Sequence, residues 1–322
     1  MTKVKICGIT NLEDALLSAK FGADALGFNF YEKSPRYIEP EKALEIIEQL
    51  PENVLKVGVF VNEDLEKIIE IAETAKLDAL QLHGEEAPDF ARELKIKTNL
   101  EIIKAFRVSP EFKTEDVLKY ETDAILLDAY NQQEHGGTGE TFDWEIAKKV
   151  QEISPKMYLA GGLSHENVCQ AIYETKSFAV DVCSGVEEIK GKKDKVKLIN
   201  FLTKAKTKLN QNSPVTFYNF LSAIHQRPLM YVNKKSLVDL SNLLYGFKIG
   251  LKISEAKFDT GKYFTDEIRV FAEEFFADKI PDAMGLITYI LRRYDNNEEK
   301  SFDAFFALLE EFKLEKEDLS NE

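Results

Sequence analysis

A repeated alternation constrains this chain more than any other feature. From residue 3 to about residue 209, short apolar runs rich in β-branched residues alternate with longer amphipathic segments. The runs are KVKICGI (3–9), ADALGFNF (23–30), LKVGVFV (55–61), DALQLH (78–83), EIIKAFRV (101–108), DAILLDA (123–129), KMYLAGG (156–162) and FAVDVCS (178–184). Each is apolar along most of its length, the pattern of a strand covered on both faces. Helical patterns lie between them. EDLEKIIEIAETAK (63–76) sets Leu65, Ile68, Ile69 and Ala72 on one stripe, and DWEIAKKVQEI (143–153) does the same with Trp144, Ile146, Ala147 and Val150. Helix starts are expected at Thr10 or Asn11, at Asn62 and at Ser164, all good capping residues.

Eight strands, each followed by a helix, predict an α/β fold of the (β/α)8 TIM-barrel type. A doubly wound open sheet has the same periodicity. The placement of unusual residues favours the barrel: Cys7, Arg36, His83, Asp128, Gly161, Gly162 and Ser184 fall at or just beyond the C-terminal ends of strands. Barrel enzymes carry their chemistry on that face.

Past the last of these units the pattern changes. The polar stretch Lys208–Pro214 marks a boundary, which predicts a barrel domain over 1–209 and a second, small and mainly helical domain over 215–322. The second part is richer in Phe and Tyr and reads as TFYNFLSAIH, SLVDLSNLLYGFKIGL, TDEIRVFAEEFFADKI, AMGLITYILRRY and FDAFFALLEEF, amphipathic helices around an aromatic core. Phe275, Phe276, Phe305 and Phe306 are expected in that core; His225 and Arg227 are the polar residues to watch. No internal repeat or long low-complexity tract stands out.

Composition narrows the function classes. The formal charge of −14 is shared by both parts, and no basic tract offers a footprint for nucleic acid. An anionic substrate must therefore be held by a local arrangement. No apolar run approaches the roughly 20 residues that span a bilayer, and no signal-peptide core is present. Three cysteines (Cys7, Cys169 and Cys183) are too few and too uneven for a disulfide framework, so a reducing cytoplasmic setting is expected. His135, His165 and His225 share no ligand spacing, and no metal site is expected.

The segments KVKICGIT, GADALGFNF with SPRYI, VGVFVN, LQLHGEE, IIKAFRV, LLDA, GGTGETFDW, LAGGLSHENV and VDVCSGVE occur in this order between residue 3 and about residue 200. Together they resemble the ordered motif series of the phosphoribosylanthranilate isomerase family. The resemblance implies a (β/α)8 barrel that rearranges a small phosphorylated aminoaldose to an aminoketose in tryptophan biosynthesis, with no cofactor. Such a reaction needs an acid to open the sugar ring and a base to remove the C2′ proton. It implies Asp128 as the acid and Cys7 as the base. A free thiol starts near pKa 8.5 (roughly), so Cys7 needs a positive neighbour to act as thiolate.

The same resemblance gives the binding residues. Arg36 would grip the anthranilate carboxylate, which a guanidinium can do bidentately. Gly161, Gly162, Ser184 and Gly185 would hold phosphate through backbone amides, and Gly137 would sit in a loop, GGTG, folding over the sugar phosphate. Asp181 would contact a sugar hydroxyl or the substrate nitrogen, and His83 would line the site. The family commonly has Ser where this chain has Cys183, which puts that side chain's role in doubt but not the phosphate site. The second domain weakly resembles small uncharacterised bacterial domains, some of them among immunity or accessory proteins. A protein-interaction or immunity-like module with an unknown partner and a passive appendage are both open for it.

Overall fold

The computed structural model describes residues 2–129, 143–206, 217–253 and 266–321. Among them, eight parallel strands close a barrel in sequential order. They are β1 (Lys3–Cys7), β2 (Ala25–Asn29), β3 (Leu55–Phe60), β4 (Ala79–Leu82), β5 (Glu101–Val108), β6 (Ala124–Ala129), β7 (Met157–Leu159) and β8 (Ala179–Val182). Closure comes from β1 pairing in parallel with both β2 and β8. The open sheet that periodicity left as an alternative is thereby ruled out. The helices are α1 (Leu12–Lys20), α2 (Pro40–Ile47), α3 (Leu65–Thr74), α4 (Pro88–Thr98), α5 (Trp144–Ile153), α6 (Val168–Thr175) and α7 (Lys195–Lys206).

The rule of one α-helix after each strand is broken twice. After β5 stands only a 3-10 turn, Thr114–Lys119, and between β8 and α7 lie a 3-10 turn (Ser184–Val186) and a two-stranded hairpin, β9 (Glu187–Ile189) with β10 (Lys192–Lys193). Two expected caps also shift. Asn11 caps α1, accepting from the Asp14 backbone N–H at 2.9 Å, but α3 starts from Asp64 and α6 from Asn167. Asn62 takes a left-handed φ of 52° instead. Where several capping residues cluster, the one whose backbone dihedrals suit the entering chain wins. On α3 the buried stripe is Ile68, Ile71 and Ala72, rotated from the predicted one.

The foot of the barrel shows a device the sequence reading passed over. Each of β2, β4 and β6 is preceded by an Asp-Ala step: Asp24, Asp78 and Asp123. Their carboxylates accept backbone N–H groups from the strand before: Val4 (2.6 Å), Lys56 (2.9 Å) and Ile102 (2.8 Å). These are the second residues of β1, β3 and β5, and the aspartates satisfy their N–H groups.

By its internal packing the chain divides into two compact units, Met1–Lys206 and Thr207–Glu322. The second contains α8 (Phe217–Gln226), α9 (Leu237–Ile253), α10 (Asp266–Phe276), α11 (Leu286–Arg293) and α12 (Glu298–Asn321). Its predicted aromatic residues are buried: Phe275, Phe276, Phe305 and Phe306, together with Phe271 on Phe312 at 5.4 Å between ring centroids. His225 is buried too, its ring stacked flat on Phe306 at 4.4 Å. None of the described helices is long and apolar enough to cross a membrane.

Candidate active site

In a closed barrel, alternate strand residues point inward, and the last inward residue of each strand reaches the mouth. Cys7 ends β1, Asp128 stands one residue from the end of β6, and His83 directly follows β4. All three line a cavity of about 330 Å³ at the C-terminal ends of the strands. Arg36, Gly161, Gly162, Asp181, Ser184 and Gly185 line the same cavity. Residues as far apart in sequence as Cys7 and Gly185 thus meet in one place. Gly137, with the rest of the GGTG loop, lies outside the described residues.

Glycines make room where backbones and ligand-facing atoms crowd. Gly27 is the β2 partner of Cys7, and a methyl group there would fall 2.8 Å from the Cys7 sulfur. Gly161 and Gly162 adopt φ values of +83° and +60°, a conformation few other residues tolerate. A Cβ on Gly185 would lie 1.9 Å from the Leu163 carbonyl, so the 161–164 and 183–186 loops approach backbone to backbone.

Charge is concentrated around Cys7. Lys5, fully buried, donates to both oxygens of Asp181 at 3.0 Å. Arg36 donates through Nε (2.8 Å) and Nη2 (2.7 Å) to the two oxygens of Glu187, leaving its other fork edge for a second carboxylate. Lys193 reaches Glu187 at 3.3 Å and the Cys7 carbonyl at 2.6 Å. These surroundings set the titrations. A hydrogen bond from the Cys183 thiol, aided against burial by the charges of Lys5, Lys193 and His83, holds Cys7 well below the ordinary thiol range. Its donor, Cys183, is pushed up by that same bond and by burial. Burial pushes the Asp181 carboxyl up to about 7, against the pull of Lys5.

Asp128 is hydrogen-bonded by the backbone and lies beside an imidazole. Its Oδ1 accepts from the Ala129 N–H at 2.9 Å, and its Oδ2 lies 3.3 Å from His83 Nε2. On the far side of the ring, His83 Nδ1 is 2.7 Å from Gln81 Nε2. The loop carrying His83 is fixed from below by a second buried ion pair. Lys104 donates to Glu86 (2.8 Å) and the Gly84 carbonyl (2.6 Å), and Glu86 accepts from the N–H groups of Asn62 (2.8 Å) and Gly84 (3.0 Å). A cysteine and an aspartate thus face one cavity with an arginine fork and two glycine-containing loops on its rim, groups of the kind that exchange protons with a small ligand.

Comparison with known proteins agrees in detail. The family described as N-(5′phosphoribosyl)anthranilate (PRA) isomerase matches residues 4–204. The chain belongs to the phosphoribosylanthranilate isomerase family. It is an isomerase. A relative from Pelobacter propionicus, N-(5′-phosphoribosyl)anthranilate isomerase, is 50% identical over 206 residues, which are 64% of this chain and 96% of that protein. The crystal structure of phosphoribosyl anthranilate isomerase from Thermotoga maritima is 48% identical with a TM-score of 0.60, covering 64% of this chain and 99% of that one. Another structure of such an isomerase, in complex with reduced 1-(o-carboxyphenylamino)-1-deoxyribulose 5-phosphate, is 47% identical with a TM-score of 0.58 over the same shares.

In this member of the phosphoribosylanthranilate isomerase family, Lys5, Glu187 and Lys193, the charged residues behind the cavity wall, were not found by sequence reading, nor were Gln81 and Lys190 of its lining. Lys5 lies in KVKIC, where a lysine two residues from Lys3 reads as an outward-facing position. The i, i+2 relation to Cys7 was the available signal, since residues two apart share a face. Glu187 and Lys193 belong to the short polar hairpin β9–β10, which carries no hydrophobic periodicity to announce it. The Cys183 side chain, left without a role from sequence, is turned towards Cys7.

Proposed function

We propose that the barrel rearranges N-(5-phosphoribosyl)anthranilate to 1-(2-carboxyphenylamino)-1-deoxyribulose 5-phosphate, with Asp128 as general acid and Cys7 as general base. Asp128 gives its proton to the furanose ring oxygen as the C1′–O bond breaks, leaving a Schiff base between C1′ and the anthranilate nitrogen. The Cys7 thiolate takes the C2′ proton, and the electron pair moves to give an enolamine. Reprotonation at C1′ and loss of the enol proton from the C2′ oxygen give the ketone, so no atom is gained or lost. Both groups act through one bound sugar, which is the economy of general acid–base catalysis.

The observation that carries this reading is the convergence of Cys7 and Asp128, from β1 and β6, on one cavity whose rim holds Arg36 and the paired loops. The free fork edge of Arg36 suits the anthranilate carboxylate, and the backbone amides of Gly161, Gly162, Ser184 and Gly185 suit the phosphate. Asp181 is available to a sugar hydroxyl or the substrate nitrogen, and His83 supports Asp128. Gly137 and its loop would cover the phosphate. We assign the chemistry to a domain of residues 1–209 working in the cytosol, because every lining residue of the cavity belongs to it. Residues 215–322 then serve as a protein-docking module or a passive appendage. Incubating the full chain with freshly prepared phosphoribosylanthranilate should give the aminoketose catalytically; no conversion would overturn the reading. A chain ending at residue 209 should convert it at a comparable rate.

A further inference from the structure

We propose that Lys5 is a positioning residue: its buried ammonium, anchored on Asp181, faces the Cys7 sulfur and holds it as the thiolate that the reaction needs. The inference rests on the assignment of Cys7 as base and names the buried charge that, beside the Cys183 thiol, helps to make it one. Lys5 has no exposure to solvent, although lysine is among the side chains least often buried whole. An ammonium has three N–H donors. Two of those of Lys5 are taken by the oxygens of Asp181, which leaves the third for Cys7, two residues on along the same face of β1. The convergence is geometric: a methyl group at Gly27 would lie 2.8 Å from the Cys7 sulfur and 3.2 Å from Lys5 Nζ, so both crowd one point of the barrel wall.

The other cations near Cys7 are committed elsewhere. Lys193 directs its ammonium to the carbonyls of Cys7 (2.6 Å) and Cys183 (3.4 Å) and to Glu187 (3.3 Å), which accounts for its three donors. Arg36 is clamped on Glu187. His83 faces Asp128, and Cys183 contributes a neutral thiol. Charge balance points the same way. Lys5, Arg36 and Lys193 are three buried cations, while Asp181 and Glu187 supply only two partner carboxylates. One positive charge is left over among these groups, and a thiolate at Cys7 cancels it. An uncompensated charge in such a place is strongly unfavourable.

The test reads Cys7 itself. Alkylation by iodoacetamide, followed peptide by peptide on the full chain across pH, reports the thiolate fraction of Cys7 apart from Cys169 and Cys183. In Lys5→Gln, which keeps a hydrogen-bonding group for Asp181, the midpoint should rise by at least about one pH unit, a roughly tenfold loss of reactivity at a pH well below the wild-type midpoint. The acid limb of kcat/KM should move with it. A folded K5Q chain with an unchanged Cys7 profile would overturn the proposal. A measurement on the unmodified residue stands beside it, should K5Q not fold. The Lys5 ammonium, shielded from exchange, should show a 15Nζ shift with a pH step in the wild type that is missing in Cys7→Ser; the same shift profile in both chains would also overturn it. The two readings fail separately. If C7S loses turnover while K5Q leaves alkylation in place, Lys5 is structural and the base assignment stands. If K5Q shifts the Cys7 alkylation profile but the wild type shows no turnover, the Lys5 role stands and the base assignment fails.

Discussion

The two ends of the barrel use ion pairs in opposite ways. At the foot, Lys3 with Asp24 (3.8 Å) and Lys156 with Glu101 (3.7 Å) join exposed lysines, both 54% exposed, to partly covered carboxylates. At the mouth, Lys5 with Asp181, Arg36 with Glu187 and Lys193 with Glu187 have no side chain more than 7% exposed. Exposed pairs contribute about 0–1 kcal/mol, whereas a buried charge is costly unless well paired. A fold seeking only stability would have apolar residues at these mouth positions. That the chain buries three cations there means the charges serve something other than the fold. Asp24, Asp78 and Asp123 at the foot do a different task, taking the N–H groups of the second residues of β1, β3 and β5.

The contrast can be broken by substitution, and the largest effect is expected at Gly27. Gly27→Ala places a methyl group against the Cys7 sulfur and should lower kcat by about a hundredfold, with an overpacking cost of about 1–3 kcal/mol in stability. Its counterpart near the foot, Gly22, has φ +87° but nothing within 4 Å of a built Cβ. Gly22→Ala should cost about 1 kcal/mol through backbone strain and leave kcat alone. Equal kinetic losses in the two variants would remove the contrast.

Next in size is Arg36→Met. Losing a charged hydrogen bond of about 1.5–3 kcal/mol should raise KM or the Kd of a product analogue roughly tenfold to a hundredfold. An analogue without the aromatic carboxylate should bind both chains alike. Equal losses for the two ligands would place the role of Arg36 in its clamp with Glu187 and not in substrate binding.

Asp181 gives a smaller effect with a defined sign. Its carboxyl, at about 7 in the folded chain, binds a proton more tightly than in the unfolded chain, where the value is about 3.9. Its contribution to stability is therefore full below about pH 4 and is lost as pH rises through 7. Urea unfolding of the wild type and Asp181→Asn at pH 5 and pH 8 should show the wild type's relative stability shrinking at the higher pH. A constant difference would contradict the assigned shift. Smallest of all, Lys3→Ala should change stability by no more than about 0.5 kcal/mol and turnover not at all.

How much of this was legible follows from which residues carry a pattern. The strands were readable because both faces of a barrel wall are apolar, so LKVGVF and AILLDA stand out without a structure. Cys7, Asp128, Arg36 and the glycine pairs were readable from their motifs, and the cavity gathers all of those described. Lys5 was hidden because alternation in KVKIC does not say which face is the interior. Glu187 was hidden because its partner, Arg36, lies 151 residues away. The caps at Asp64 and Asn167 were missed by two or three residues because neighbouring Asn, Ser and Asp compete for the position. The Asp-Ala steps before β2, β4 and β6 were in plain view, but their meaning needs the strand before them in space.

The central claim is that Cys7 and Asp128 move protons while other groups bind. It is tested most directly by measuring turnover of phosphoribosylanthranilate and binding of a reduced product analogue on the same preparations of wild type, Cys7→Ser and Asp128→Asn. Each variant should lose turnover by roughly 100-fold or more, the usual contribution of a positioned acid or base, while the analogue's Kd stays within about threefold of the wild type. Near wild-type turnover in either variant would contradict the account for that residue.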